Sequence, residues 1–305
     1  MRDMFVNFLN NRNTRRGLFY STAGMIFFSG GLIAAKYALA GFNAGMFSSI
    51  WCISSTVYAL IFVVLTGKVR ELFSLSRNER ANIVLLGIFT GVGMIVGWEG
   101  LARLDPSFAA FLWRFLPLLT ILSGIIWLGE KLMLREIFPI TLMIAGGAIS
   151  TVGRWEIVGT GVILVLLSCV TAAIQMIIGK VQSSSVHPTI LIFYRSLISA
   201  ILVCLWTIAR GQIDFSPSWN YWIVTVAGAF LGPAAGFWLT FQSYRFWDLS
   251  RSSIVLTVQP IVVLPMVYLF LHQLPSKQGF IGGMIILAGA LWLTYIHLRE
   301  KKARS

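Results

Sequence analysis

The chain has 305 residues, of which 57% are hydrophobic and only 11% charged, and its mean hydropathy is +0.81. Apolar runs of that length, separated by short polar breaks, exclude a soluble globular domain. The formal net charge of +13 does not mark a nucleic-acid binder, because Lys and Arg fall in the breaks rather than on one face.

Residues 1–17 form a segment carrying Arg2, Arg12, Arg15 and Arg16, and they lead into a first apolar window at 18–38. Its run from Leu18 to Ala35 exceeds the roughly 7–15-residue core of a signal peptide. Ala38-Leu39-Ala40 is therefore not expected to be a cleavage site, nor Thr14-Arg15-Arg16 a twin-arginine signal. Windows at 44–66, 82–102, 107–128 and 134–152 complete a first five-helix unit, 18–152. A break near Thr151–Gly159 opens a second unit, 153–298, with windows at 159–180, 187–209, 221–244, 251–272 and 277–297. A basic tail, 299–305, ends the chain. Each window is about the 20 residues that cross a bilayer, so the expected fold is an all-α polytopic membrane protein of ten transmembrane helices.

The second unit repeats the first. Leu104-Asp105-Pro106-Ser107, Pro117 and Ala145-Gly146 recur 143 residues later as Trp247-Asp248-Leu249-Ser250, Pro260 and Ala288-Gly289; Lys36 and Gly67 recur 144 later as Lys180 and Gly211. Units of five spans cross the bilayer in opposite senses. Two inverted five-helix repeats around a central cavity, related by an in-plane pseudo-twofold axis, are the expectation. With the N-terminus placed inside, the inner breaks hold 17 Lys and Arg and the outer breaks 5. Both termini are therefore expected in the cytoplasm.

The spans carry few groups capable of chemistry. Cys52, Cys169 and Cys204 lack metal-ligand spacing. His187, His272 and His297 sit at span ends, and no catalytic motif occurs. No enzyme, metal or cofactor is expected. Arg195 lies eight residues into the seventh window and Arg114 seven into the fourth, roughly 12 and 10 Å deep at 1.5 Å per residue. Each is either a structural Arg bonded to broken-helix carbonyls or a Gln, or a clamp for a substrate carboxylate or phosphate. Glu99 either pairs with Arg103 or Arg114, or carries a coupling proton. Gln175, Gln242 and Gln259 add polar groups, and Trp51, Trp98, Trp113 and Trp238 could supply flat walls. Gln242 is the repeat mate of Glu99. Gly232-Pro233, Pro117 and Pro260 are the hinge or gate positions, since Pro frees a helical carbonyl. Gly87-x-x-x-Gly91 and Gly228-x-x-x-Gly232-x-x-x-Gly236 are close-approach patterns. Asp105 and Asp248 read as N-caps, and Trp219, Trp222 and Trp292 as interfacial belt residues.

Pro117-Leu118, then Leu128-Gly129-Glu130 and Ile144-Ala145-Gly146-Gly147, together with Gln259-Pro260-Ile261 and Leu287-Ala288-Gly289-Ala290, resemble the EamA-domain type of the drug/metabolite transporter superfamily. Arg195 also matches a position where members often carry Arg. The chain departs at His272-Gln273, where Gly-Glu is usual, and at Trp51, the mate of Arg195. The resemblance covers nearly the whole chain. It implies a carrier with a cavity lined by the first, third, fourth, sixth, eighth and ninth helices and parts of the second and seventh. It further implies metabolite export across a bacterial inner membrane.

The function expected is an alternating-access secondary transporter of a small organic metabolite, anionic or zwitterionic such as an amino acid. Its partners are that small molecule, the lipid bilayer and a coupling proton; nucleic acid is not one, and the oligomeric state is open. The alternatives are a non-transporting scaffold or lipid-interacting protein on the same fold, and a channel. A channel would show rings of like charge or a repeated filter segment, and neither occurs.

Overall fold

Local sequence signals set the helix starts in the computed structural model, which describes residues 12–116, 119, 134–151, 155–246, 252, 255–272 and 275–304. Helix α1 runs Arg12–Ala38. Helix α2, Ala44–Leu65, is capped by Asn43, whose side chain accepts the Met46 N–H at 2.8 Å. Helix α3, Arg77–Ala102, starts with a capping box between Ser76 and Glu79, which satisfies two otherwise orphaned N–H groups. Helix α4, Pro106–Leu112, has Asp105 as N-cap at 2.7 Å from the Phe108 N–H, and tightens into a 3-10 turn at Trp113–Phe115. Helix α5 is Leu134–Thr151 and α6 is Trp155–Gln182. Helix α7, Pro188–Ala209, is capped by His187. Helix α8 comprises Trp219–Ala229, a π-helical turn Phe230–Gly236 and Phe237–Phe246. Helix α9 is Gln259–Leu271 and α10 is Lys277–Arg304.

The repeat is visible in the caps. Gly67 and Gly211 follow α2 and α7 with φ of 67° and 63°. Lys68 N–H bonds the Val63 carbonyl and Gly67 N–H that of Val64; Gln212 and Gly211 repeat the pattern on Thr207 and Ile208. Both are left-handed C-terminal caps that a Cβ would strain.

The protein is an integral multi-pass membrane protein. Six described helices are long and apolar enough to cross a bilayer: α1, α2, α3, α6, α7 and α8; Val255–Leu271 and Lys277–Leu293 are shorter apolar helices. Half of the fourth expected window falls on residues outside the described set, and Pro117, Glu130 and Asp248 lie outside it too. Large apolar side chains on the outer faces, such as Leu205 and Ile163, are well exposed, which fits a hydrocarbon surround rather than water.

The units exchange their first helices: α1 packs on α8, and α6 packs on α3. Helices α2 and α7 pair across the middle through Ser55 Oγ–Ser196 Oγ at 2.8 Å and Ser49 Oγ–Thr207 Oγ1 at 2.9 Å. The glycine patterns mark tight crossings, as their spacing predicts. A Cβ on Gly87 would meet Ile198 Cβ at 2.5 Å, and one on Gly282 would meet the Gly146 carbonyl at 2.4 Å.

Pro260 lies in the first turn of α9, and its missing N–H leaves the carbonyl four residues back, that of Leu256, to accept from Arg114 Nη1 instead. The interruption falls just before it, at Val258. Gly232 and Pro233, by contrast, sit inside the π-helical turn of α8. Proline and π-turns are recognised causes of a local break in the helical ladder.

Candidate functional site

A cavity of about 230 Å³ lies at the centre of the described helices. It is walled by α1, α2, α3, the end of α4, α6, α7, α8 and residues 256–259. Nine of the sequence-expected residues line it: Arg114, Arg195, Gln175, Gln259, Trp51, Trp98, Trp113, Gly232 and Pro233.

The lining is nearly its own image under the repeat. At a shift of 144, Phe28, Gly31, Leu32 and Trp51 pair with Ala172, Gln175, Met176 and Arg195, and all eight line the cavity. At 143, Thr90, Met94, Trp113, Arg114 and Leu116 pair with Pro233, Phe237, Leu256, Thr257 and Gln259, and all ten line it. Equivalent residues of the two repeats therefore face one shared cavity.

It also departs from symmetry in one direction. Gly97 and Trp98, on the last two turns of α3, and Ser168 of α6 line it, but their mates Thr240, Phe241 and Gly24 do not. A Cβ on Gly24 would meet Thr240 Oγ1 at 3.0 Å, and Phe241 is 1% exposed against Gly179. The cavity leans toward the end of the bundle where α3 finishes; at the other end aromatic rings fill the equivalent space. There Tyr20 stacks on Phe246 at 5.6 Å, and Trp238 packs on Phe62 and Tyr20.

The two arginines are held differently. Arg114 uses all three nitrogens on the protein: Nε donates to the Ala110 carbonyl at 3.3 Å, Nη1 to the Leu256 carbonyl, and Nη2 to Gln259 Oε1 at 3.0 Å. Leu256 lies in the interrupted stretch ahead of α9, so Arg114 ties α4 to that break. Arg195 donates from Nη2 to Gln175 Oε1 at 3.2 Å and stacks over the Phe237 ring, 3.5 Å from its centroid. Gln175 in turn accepts from Thr90 Oγ1 at 2.9 Å and donates to the Phe89 carbonyl at 3.2 Å. Both arginines are buried, and among the described residues neither has a carboxylate partner. The site is thus electropositive, and its low-dielectric walls strengthen charge interactions.

Besides Pro260, three expected residues among those described lie outside the cavity. Glu99 pairs with Arg103 at 2.5 Å, and its side chain is 28% exposed. It follows Trp98, and a step of one residue turns about 100° around a helix. Gln242, its mate, is off the lining for the same reason, following Phe241. Trp238 donates from Nε1 to Thr189 Oγ1 at 3.2 Å. The sequence reasoning missed Thr90, Met94, Phe237, Ser168, Cys169 and Thr257. The signal available for most of them was the repeat, since Met94 maps onto Phe237, Thr90 onto Pro233 and Arg114 onto Thr257.

Two lysines brace the ends. Lys36 Nζ donates to the carbonyls of Leu101 at 3.0 Å and Leu104 at 2.6 Å, past the end of α3; its mate Lys180 donates to Tyr244 at 2.7 Å, near the end of α8. Leu101 and Tyr244 are themselves mates. Among the described residues no three His, Cys, Asp or Glu side chains gather into a metal-ligand group.

The profile of the EamA-like transporter family matches this chain twice, at residues 15–152 and 159–295. An uncharacterized transporter of Bacillus subtilis (strain 168), YxxF, is 20% identical over 231 residues, covering 74% of this chain and 73% of the relative. A solved protein crystal structure superimposes with a TM-score of 0.63 at 16% identity, covering 92% of this chain and 98% of that one, a likeness of fold.

Proposed function

The chain belongs to the EamA-like transporter family, and from that premise we propose that it is a secondary transporter working by alternating access on a small organic anion or zwitterion. The reading takes ten spans, five per repeat, with α4, α5, α9 and α10 completing the six longer helices. It takes both termini as cytoplasmic, by the charge bias of the breaks, and the membrane as a bacterial inner membrane. The end toward which the cavity leans is then the outer one. Export of a metabolite is the expected direction, and an amino acid is one compound of the right class.

The observation that carries the reading is the cavity's position. A site on the pseudo-twofold axis of an inverted repeat can be reached from either end by exchanging the conformations of the two units. Its charge supports an anionic substrate: among the described residues two arginines and no acid face it. Gly232 and Pro233 supply a bend in α8 beside the site. Glu99, paired with Arg103 near the end of α3, is the carboxylate to examine for proton coupling.

The test is a thermal-shift screen of purified protein against a metabolite panel, followed by counterflow of each hit in proteoliposomes. Saturable counterflow of an anionic or zwitterionic hit supports the reading; binding without any exchange across the bilayer would leave a scaffold or lipid-interacting protein. For orientation, a variant lacking the three native cysteines is labelled from outside. Cysteine at Ser216 or Ser276 is expected to react and cysteine at Ser76 is not; the reverse pattern overturns the topology.

A further inference from the structure

The two repeat mates Trp51 and Arg195 share a property that sets them apart from the rest of the cavity wall. Trp51 Nε1 and Arg195 Nε are both buried with no hydrogen-bond partner in the protein, and both residues are 1% exposed. The other described side-chain atoms of this kind belong to Gln182, Gln212 and Tyr244, none of which lines the cavity. Buried polar groups are nearly always partnered, and leaving one unmade costs more than an ordinary hydrogen bond returns. Indole N–H and guanidinium Nε–H can only donate. Whatever satisfies both must therefore bring acceptors, and beside an arginine without a counter-ion it must bring negative charge.

We propose that Arg195 and Trp51 form a two-donor seat for an oxyanion carried by the substrate, and that Arg114 is part of the fixed wall rather than a ligand-binding group. The inference rests on the transport reading of the cavity and deepens it. Gln175 fixes one end of the Arg195 guanidinium and Phe237 fixes its plane, which leaves Nε and Nη1 for the ligand. Gln175 is itself held by Thr90 and the Phe89 carbonyl, so the seat is preorganised from two helices. Arg114 has no comparable freedom, because each of its nitrogens already donates to Ala110, Leu256 or Gln259. The flat rings of Trp51, Trp98 and Trp113 lie beside the seat along the wall. A compact organic body bearing a carboxylate, phosphonate or sulfonate fits the chemistry. A neutral amide of the same shape does not, since its carbonyl supplies an acceptor without the charge.

The experiment compares benzoate, phenylphosphonate and benzamide on purified protein, read by tryptophan fluorescence and thermal shift. One of the two anions is expected to bind saturably at least tenfold more tightly than benzamide, and which one distinguishes carboxylate from phosphonate chemistry. Arg195→Gln is expected to weaken that binding tenfold or more, and Trp51→Phe, which keeps a ring but loses the N–H, severalfold. Arg114→Gln is expected to lower the melting temperature and, by removing one cavity charge without removing a donor to the ligand, to weaken anion binding in its folded fraction several times less than Arg195→Gln does. Where Arg195→Gln does not fold, Arg195→Lys keeps the charge without the Nε–H, and a loss of fivefold or more is expected. Binding of neither anion above benzamide, unchanged binding in the Arg195 variants, or a loss of binding in folded Arg114→Gln as large as that in Arg195→Gln overturns the seat. Anion binding through Arg195 without counterflow would instead sink the transport reading and leave the seat standing.

Discussion

Two helix crossings flank the cavity at positions related by the repeat, and the chain builds them in opposite ways. Where α1 meets α8, Gly31 faces Gly232, and a Cβ on Gly31 would come 2.8 Å from the Gly232 Cα and 2.9 Å from its backbone nitrogen. Where α6 meets α3, the corresponding pair is Gln175 and Phe89, and the Gln175 amide donates to the Phe89 carbonyl at 3.2 Å. The next residues diverge in the same sense: Pro233 sits in a π-helical turn, while its mate Thr90 lies within an unbroken α3 and bonds both the Leu86 carbonyl and Gln175. Backbone-to-backbone contact beside a bend is suited to movement, and a polar bridge is suited to holding a ligand-binding side chain still. The two repeats thus differ at equivalent crossings, with a π-helical turn in α8 at one and α6 supporting Arg195 at the other.

Breaking the glycine crossing is expected to have the largest effect. Gly31→Val places a branched side chain against backbone that cannot step aside, and the expected result is loss of folded protein in detergent-based size exclusion. Gly147→Ala is the control, because its Cβ would meet only Phe115 Cζ at 3.4 Å; it is expected to be neutral or stabilising by up to about 1 kcal/mol. Breaking the polar crossing comes next. Gln175→Leu removes partners of Arg195, Thr90 and Phe89, for an expected cost of about 1–3 kcal/mol by thermal or denaturant melting, together with weaker anion binding.

The lysine braces allow a finer comparison of the two ends. Lys36→Met and Lys180→Met each remove a cation from carbonyls near a helix C-terminus, worth about 0.3–1 kcal/mol at exposed sites. Similar small losses of stability are expected, but opposite shifts in which end of the cavity admits a thiol reagent. Equal shifts in the same direction would refute the symmetry. His187 gives the smallest effect. Burial, then Arg245 and Lys68, lower its pKa from the usual 6.5, with Glu71 opposing, and its neutral Nδ1 accepts the Thr189 N–H. Because the folded value is the lower one, the folded protein binds fewer protons than the unfolded chain as pH falls through 6.5. Its stabilising contribution is full above that pH and declines toward the lowered folded value. His187→Asn keeps a cap without the titration, so it is expected to flatten the melting-temperature profile between pH 7 and 5 by an amount worth less than about 1 kcal/mol.

Much of this was legible before any coordinates. Hydropathy marked both ends of α2, α7 and α8 to within about two residues, though its ninth window starts eight residues before α9, and polar residues in apolar runs led to Arg114, Arg195, Gln175 and Gln259. The repeat gave depth in the bundle but not direction around a helix, which is why Glu99, Gln242 and Trp238 were gathered with residues one step away that do line the cavity. The roles of the two arginines were not readable, because two of the three groups that satisfy Arg114 lie over 140 residues downstream, at a helical break that composition does not reveal. Apolar lining residues such as Met94 and Phe237 carry no polar signature, and only their relation as repeat mates would have marked them.

The central claim is that one cavity on the pseudo-twofold axis opens alternately at two ends. Single cysteines at Ser168 and Thr240, on a background without Cys52, Cys169 and Cys204, test it most directly with membrane-impermeant thiol reagents applied to sealed vesicles of each orientation. The account predicts that cysteine at Ser168 reacts from the side where α3 ends in the resting protein while cysteine at Thr240 is protected. During counterflow of an identified substrate, cysteine at Thr240 should become reactive from the opposite side only, as reaction at Ser168 slows. Reaction of both from one side, or a Thr240 position that stays protected throughout turnover, would contradict it.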